Sequence, residues 1–355
     1  MEYFDAIGSC TSIGESIGEH FKYKISDYVE YRFQQAKHEL YGLGIGFARS
    51  DYYDFSSQLI EYAEKNSAEE MEELNGVSRA ANVSVEDILF AIGYTDIFDL
   101  ILTQRGVLDK NLFNANAECT TFIYKRNGKL YCGQNWDMDE GSGNNYCYLR
   151  KRYSSGLSIQ GLSTVIGLVH IGVNENGTFI GTANLCSQRN SANGLIFPMT
   201  IQHLLRKDVN AESMYWLRNV KKVGGHYFYV VQNSISSFAV ECDEKECVVR
   251  EISDVYAHSN HYRETIFENI GIVYSSDTIT RCRYLEEELG CRNIDIDSIK
   301  EVLSNHSNNI CRHNNGGYSH TCASIIYDVA NHAIHLCDSN PCLGTWFIKP
   351  VNINL

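Results

Sequence analysis

The sequence is poor in proline and has no long apolar run. Only 3 of its 355 residues are prolines, and no low-complexity stretch is present, so the composition indicates no linker between domains. No apolar run approaches the roughly 20 residues that cross a bilayer as a helix, so no membrane partner is expected. Residues 1–6 lack the basic and apolar regions of a secretory signal, and a soluble cytoplasmic protein is therefore predicted.

Basic residues are also scarce relative to acidic ones. The chain has 30 Lys and Arg against 44 Asp and Glu, which gives a net charge of −14. Nucleic acids and anionic membranes attract clustered basic side chains, so neither is an expected partner. Hydrophobic residues make up 44% and charged residues 21%, which is ordinary for a folded globular protein.

The sequence has 13 cysteines but no Cys-x-x-Cys pair. An odd number of cysteines in a chain without an export signal indicates reduced thiols. Neither Cys242 with Cys247 nor Cys282 with Cys291 has histidines at zinc-finger spacing, so no metal and no cofactor is predicted. A metal-binding or redox protein stays open as an alternative interpretation.

The chain divides into two regions of different pattern. The first is predicted to be helical, because an apolar residue recurs at every fourth position in Ile13, Ile17, Phe21, Ile25 and Val29. From Cys119 onward, short segments rich in Val, Ile, Tyr and Phe alternate with Asn and Gly turns, as in strands, and helical segments near 199–205 and 278–289 interrupt them. This order predicts an α+β or layered α/β fold.

A β-hairpin is predicted over residues 119–137. The dipeptide Asn127-Gly128 between two strand-like segments is the strongest short-range hairpin signal. The first strand begins at Cys119 and the second ends at Asp137. Because a hairpin brings its outer ends side by side, the thiol and the carboxylate are expected to be neighbours, which suits nucleophilic chemistry.

The same segment resembles the start of the catalytic subunit in the acyl-CoA:isopenicillin N acyltransferase family. That family's pattern is Cys-Thr-Ser/Thr, a hairpin, and Gly-Gln/Arg-Asn-x-Asp, which residues 119–121 and 133–137 match. Four further segments are similar and occur in the same order, at residues 167–177, 258–261, 310–312 and 321–328. The family belongs to the N-terminal-nucleophile (Ntn) hydrolases and is related to bile-salt and penicillin V acylases.

The resemblance implies a four-layer αββα sandwich, in which two antiparallel sheets lie between helical layers. It also implies a precursor that cleaves itself between Glu118 and Cys119. A helical N-terminal region, residues 1–118, would then be the α-subunit, and residues 119–355 the catalytic β-subunit. Residues 114–118 are small and polar, as in an exposed connector where cleavage is tolerated.

The resemblance further implies a role for each site residue. Cys119 would be the nucleophile, and its freed α-amino group, which titrates near neutrality, would accept the thiol proton. Asp137 would hold that amino group, and Asn260 would donate its side-chain amide to the oxyanion. Arg312 would bind a substrate carboxylate or order the site.

The expected function is hydrolysis or acyl transfer on a small N-acyl amide through a Cys119 thioester. A coenzyme A thioester is a further possible substrate. Hydrolysis and transfer both stay open, because the outcome depends on whether water is excluded from the thioester. The oligomeric state also stays open.

Glu118 departs from the family pattern, because glycine is common at that position. An N-to-S acyl shift needs a distorted peptide, and glycine adopts unusual backbone angles at little cost. Two further alternatives therefore stay open. One is an uncleaved, non-catalytic binding module; the other is a papain-like cysteine hydrolase with His258 or His261 as its base.

Overall fold

The computed structural model describes residues 1–108, 118–207, 209–233, 235–273, 275, 277–291, 293–313 and 319–352. Within these ranges the helices are α1 (Cys10–His20), α2 (Lys22–Gly42), α3 (Arg49–Asn66), α4 (Ala68–Ala81), α5 (Val85–Ile92), α6 (Tyr94–Gln104), α7 (Phe197–Lys207), α8 (Ala211–Asn219), α9 (Asp277–Cys291) and α10 (Ile296–Leu303). None of these helices is both long enough and apolar enough to cross a membrane.

The strands of the described residues form two large sheets and one small one. In chain order they are β1 (Glu2–Gly8), β2 (Glu118–Arg126), β3 (Lys129–Met138), β4 (Tyr146–Tyr153), β5 (Ser158–Thr164), β6 (Val169–Asn174), β7 (Thr178–Asn184), β8 (Cys186–Ser187), β9 (His226–Gln232), β10 (Ser236–Cys242), β11 (Cys247–Glu251), β12 (Tyr256–His258), β13 (Gly271–Ile272), β14 (His320–Asp328), β15 (Ala333–Cys337) and β16 (Trp346–Pro350).

The first sheet has the strand order β1-β4-β5-β6-β7-β9-β10-β11, and the second has β12-β2-β3-β14-β15-β16. Strands β8 and β13 form the small sheet. Neighbouring strands are antiparallel, except that β1 pairs with β4 in parallel. The sequence analysis did not predict β1, in which Ala6 alone is fully buried and the hydrophobic pattern is correspondingly weak.

Hydrophobic residues pack on both faces of each large sheet. Side chains such as Ile123 and Ile171 meet in a core shared by the two sheets. A second core joins the other face of the first sheet to the N-terminal helices and α7. A third joins the other face of the second sheet, at Phe122 and Tyr124, to α9 and α10. The alternation of Phe122, Ile123 and Tyr124 between cores follows the two-residue period of a strand. The predicted mixed helix-and-sheet class is confirmed.

The apolar stripe predicted in the N-terminal region is confirmed, but the helix that carries it is interrupted once. All five residues of the four-residue apolar stripe are buried. They belong to two helices rather than one, because the backbone leaves helical geometry at Phe21, where φ is −101° and ψ is 14°. The Ser84 side chain caps α5 by accepting a hydrogen bond from the Asp87 backbone N–H at 3.2 Å.

Helices α1 and α4 pack with their backbones in contact. A Cβ atom added at Gly14 would collide with the carbonyl of Glu73, and one added at Gly76 would collide with the carbonyl of Thr11. These two glycines therefore set the distance between the helices. Since backbone atoms, not flexible side chains, surround the added carbon, the helices would have to move apart.

We expect Gly14→Ala to lower the free energy of unfolding by about 1–3 kcal/mol, as overpacking does. The control is Gly42→Ala at the end of α2, where an added Cβ meets no atom within 4 Å. That substitution should stabilise the protein by up to about 1 kcal/mol, because it reduces the entropy of the unfolded chain. Urea unfolding of both variants measures the difference, and equal effects would contradict the close packing of α1 on α4.

Candidate active site

The predicted β2–β3 hairpin is confirmed. Its turn residues Asn127 and Gly128 have φ values of 53° and 74°, as the favoured two-residue hairpin turns require. The register places Glu118 opposite Asp137 and Cys119 opposite Trp136. Cys119 therefore faces the core between the two sheets, whereas the Glu118 and Asp137 side chains lie on the opposite face, toward α9.

The polar atoms of Cys119 contact residues from distant parts of the chain. Its backbone N–H donates to Asn260 Oδ1 at 2.9 Å, and its carbonyl accepts from Arg281 Nη1 at 2.6 Å. The side chain is buried. Burial, and next the negative charge of Asp137, raise the pKa of the thiol well above its usual range. A base is therefore needed to make the thiolate.

Asn260 lies beside Cys119 and acts as a hydrogen-bond acceptor there. Its Oδ1 accepts from the Cys119 N–H and from Arg281 Nη2, the latter at 3.1 Å. Because both partners are donors, the orientation of the amide group is fixed. The side-chain nitrogen donates to the Asn184 carbonyl at 3.0 Å.

Asp137 is fully buried, and one of its two carboxylate oxygens accepts a hydrogen bond from the described residues. Its Oδ1 accepts a hydrogen bond from Thr321 Oγ1 at 2.6 Å. Its Oδ2 has no hydrogen-bond partner among the described residues, and Arg312 Nε lies 3.7 Å away. Burial raises the pKa of this carboxyl, against the opposing charges of Arg312 and Arg281. The site thus holds one carboxylate oxygen, Asp137 Oδ2, that accepts no hydrogen bond from the described residues.

Glu118 lies between two arginines. Its Oε2 is 2.6 Å from Arg281 Nη2 and 2.6 Å from Arg312 Nη2. Arg312 also contacts the Asp277 carboxylate. The expectation of an exposed connector is wrong for Glu118, which is only 4% exposed, because it pairs in β2 and meets both guanidinium groups. Residues 114–117 of that connector lie outside the described residues.

Arg281 is the residue that the sequence analysis missed. It is fully buried and contacts Glu118, Asn260, the Cys119 carbonyl and Thr120 Oγ1. Its Nε lies 3.6 Å from Asp277 Oδ1, one turn earlier in α9. This i, i+4 spacing of opposite charges is visible in the sequence, but it is common on exposed helices and so did not single the pair out.

Cys119 also lines a small pocket with a cavity volume of about 40 Å³. One wall comes from the N-terminal helices and α7, and the other from the sheets. The lining is mostly aromatic and aliphatic, and comprises Tyr28, Arg32, Ala91, Ile92, Tyr94, Thr95, Trp136, Met138, Thr164, His170, Ile171, Thr182, Asn184, Phe197 and His226. Such a wall suits an apolar group next to the thiol.

The two histidines of the papain-like alternative have other partners. His258 is hydrogen-bonded to Glu241 Oε1 at 2.7 Å and to the Ser259 carbonyl at 2.7 Å. His261 is hydrogen-bonded to Thr278 Oγ1 at 3.0 Å. In the described part of the chain neither ring is hydrogen-bonded to Cys119, so this geometry gives that alternative no support.

Comparison with known protein families matches residues 124–342 to the family described as acyl-coenzyme A:6-aminopenicillanic acid acyl-transferase. The match spans more than half of the chain. This protein belongs to that family. The resemblance seen in the sequence is thereby confirmed, although the matched part of this acyl-transferase-family chain begins after Cys119.

Solved structures of other proteins are also similar to this chain. Two variants of the conjugated bile acid hydrolase from Clostridium perfringens are each 10% identical with a TM-score of 0.40, and the similarity covers 67% of this chain and 98% or 99% of theirs. Penicillin V acylase from Agrobacterium tumefaciens is 13% identical with a TM-score of 0.44, covering 65% of this chain and 86% of that one. No curated protein sequence matches the chain.

We expect Arg281→Gln to lower the free energy of unfolding by about 3–5 kcal/mol, because buried ion-pair and hydrogen-bond partners would lose a charged donor. Urea unfolding in a Cys119→Ala background measures this on a chain of constant length. The matched control is Arg283→Gln, which changes an exposed arginine of the same helix and should cost less than about 0.5 kcal/mol. Similar losses in the two variants would refute the role given to Arg281.

Proposed function

We propose that this chain is an Ntn-type cysteine amide hydrolase or acyltransferase, made as a precursor that cleaves itself between Glu118 and Cys119. The carrying observation is the convergence of Cys119, Asp137, Asn260 and Arg312 at the open end of the β2–β3 hairpin. The three hydrophobic cores support the four-layer αββα sandwich as the scaffold.

The contacts around the scissile bond support self-cleavage. Two arginines hold the Glu118 side chain, Asn260 holds the Cys119 nitrogen, and Arg281 holds the Cys119 carbonyl. The Cys119 sulfur would attack the Glu118 carbonyl carbon, and the thiol proton would pass to the departing Cys119 nitrogen. Water would then hydrolyse the thioester. Fixed positioning of the peptide would replace the conformational freedom of glycine.

In the mature protein the freed α-amino group of Cys119 would be the base. It would lie where the backbone nitrogen is now, next to Asn260 Oδ1, with the unused oxygen of Asp137 available as a second acceptor. The amine would take the thiol proton, the thiolate would attack the acyl carbonyl, and the leaving amine would take the proton back. Water or another amine would then release the acyl group.

Asn260 would have to change partners to act on the oxyanion. Its side-chain nitrogen now donates to the Asn184 carbonyl. Because Asn184 and Cys119 line the same cavity, a substrate carbonyl that entered it could replace the Asn184 oxygen as the acceptor. One such donor lowers a barrier by about 2.7–4 kcal/mol.

The pocket beside Cys119 and the Arg312 side chain suit different chemical groups, one on each half of the substrate. The aromatic and aliphatic walls of the pocket beside Cys119 suit an apolar acyl group, which would have to widen this small pocket to enter it. Arg312 suits a carboxylate on the amine half, because in the uncleaved chain the carboxylate of Glu118 already occupies it. An acyl thioester such as that of coenzyme A could deliver the same acyl group to Cys119.

Self-cleavage is tested by the intact mass of freshly purified protein under denaturing conditions. The wild type should give two fragments, residues 1–118 and 119–355, and Cys119→Ala should give one uncut chain. The cleaved protein should hydrolyse an apolar N-acyl amide, and the uncut variant should not. An uncut wild type, or turnover by Cys119→Ala, would overturn the proposal.

The pH dependence of the mature protein tests the base. Only the neutral amine accepts a proton, so kcat/KM should rise with pH through the pKa of the α-amino group, about 7.7–8.0 in peptides. The Asp137 carboxylate favours the protonated amine and raises that pKa. Asp137→Asn should therefore move the rising limb to lower pH and reduce kcat.

The matured fraction of Asp137→Asn, identified by mass, is compared with wild type. Asp254→Asn is the control. Asp254 is an exposed carboxylate that pairs with Arg126, and Arg126 lies at the opposite end of β2 from Cys119. A rising limb at the same pH in all three proteins would rule out Asp137 as the partner of the amine.

A further inference from the structure

A second cluster of reactive side chains lies next to the candidate active site. His306, Cys311, His313 and Cys342 each offer one ligand atom, and the four atoms lie within 4.8 Å of one another. The two Nε2 atoms of the histidines are 3.0 Å apart, and the two sulfur atoms are 3.5 Å apart. His313 Nε2 lies 3.1 Å from Cys342 Sγ and 3.9 Å from Cys311 Sγ. The four atoms therefore surround a common point.

These separations fit a tetrahedral metal site. Zinc bonds of about 2.0–2.1 Å to nitrogen and about 2.3 Å to sulfur place the ligand atoms of a tetrahedron about 3.3–3.8 Å apart. Four of the six separations run from 3.0 to 3.9 Å, and the other two, from His306 to the two sulfur atoms, are at most 4.8 Å. Small shifts of the side chains would complete the geometry.

We propose that His306, Cys311, His313 and Cys342 bind one Zn²⁺ ion. Two thiolates and two imidazoles are donors that favour zinc over the harder ions Mg²⁺ and Ca²⁺, which prefer oxygen. Four protein ligands leave no open coordination position, so the site is structural rather than catalytic. The sequence alone does not indicate this site, because Cys342 lies far along the chain from the other three ligands.

The ion would fix the position of Arg312. Cys311 and His313 are its direct neighbours in the chain, His306 lies in the turn after α10, and Cys342 lies in the turn after β15. Asn340, close to Cys342, donates to the Arg312 carbonyl, and its side-chain nitrogen lies 3.7 Å from Cys311 Sγ. Zinc would therefore join three segments and hold the backbone from which Arg312 reaches Glu118. Binding of the metal does not depend on the proposed catalytic function.

The test is metal content. Protein expressed with Zn²⁺ in the medium and then passed over a desalting column should contain about one zinc per chain by elemental analysis. His306→Gln and Cys342→Ser should retain less than about a tenth of that amount. The matched controls His38→Gln and Cys291→Ser change exposed residues of α2 and α9 outside the cluster and should keep the full amount.

Folding of the variants is checked separately. His306 is exposed, so His306→Gln should keep the circular dichroism spectrum of the wild type while it loses the metal. Replacement of zinc by Co²⁺ should give the visible absorption of a tetrahedral ion with thiolate ligands in wild type but not in His306→Gln. Wild-type protein with no more zinc than His306→Gln would overturn the proposal, and so would a Cys311–Cys342 disulfide in protein purified under reducing conditions.

Discussion

The buried guanidinium group of Arg281 is the interaction on which the candidate site depends. It contacts the residue on each side of the proposed cleavage point, through the Glu118 carboxylate and the Cys119 carbonyl, and it contacts Asn260 as well. A buried charge that water cannot reach is stable only while its ion-pair and hydrogen-bond partners stay in contact with it. Helix α9, which carries Arg281, is thereby bound to the start of β2, and the end of the hairpin is held against it.

The position of this charged group follows from the packing of the sheets. Both faces of each large sheet are covered by hydrophobic cores, so charged groups are costly anywhere along the middle of a strand. Asp137 and Glu118 lie where β3 ends and β2 begins. Arginines from α9 and from the segment before β14 can reach them there. The same strand end brings Cys119 to an apolar cavity on the other face of the sheet.

Local signals in the sequence predicted local structure well. The Asn127-Gly128 turn and the buried four-residue stripe depend on residues close together in the chain, and the structure contains both. Knowledge of the family pattern, rather than periodicity, pointed to Asn260, which lies beside Cys119, and to Arg312, which lies beside Glu118 and Asp137. Their roles in catalysis stay predictions.

Contacts between residues far apart in the chain could not be predicted from local sequence signals. Arg281 resembles any helical arginine with an acidic residue four positions earlier, and only the fold shows that it is buried. The burial of Glu118 depends on the same long-range contacts. The two histidines and two cysteines near Arg312 come from three loop segments, and Cys342 reaches the other three residues only in the folded chain.

In the uncleaved chain the groups of the candidate site contact one another, and under the proposed function this would keep other substrates out. Glu118 occupies Arg312, and the Asn260 oxygen holds an amide N–H rather than an amine. After cleavage the carboxylate of Glu118 would no longer be tethered to Cys119, and the nitrogen beside Asn260 would gain protons and a titratable charge. Under the proposed function, Asp137 Oδ2, which accepts no hydrogen bond from the described residues, would be an acceptor for this new charge. The contacts of the uncleaved chain thus leave Asp137 Oδ2 without a hydrogen-bond donor among the described residues, and the proposed cleaved form would supply one.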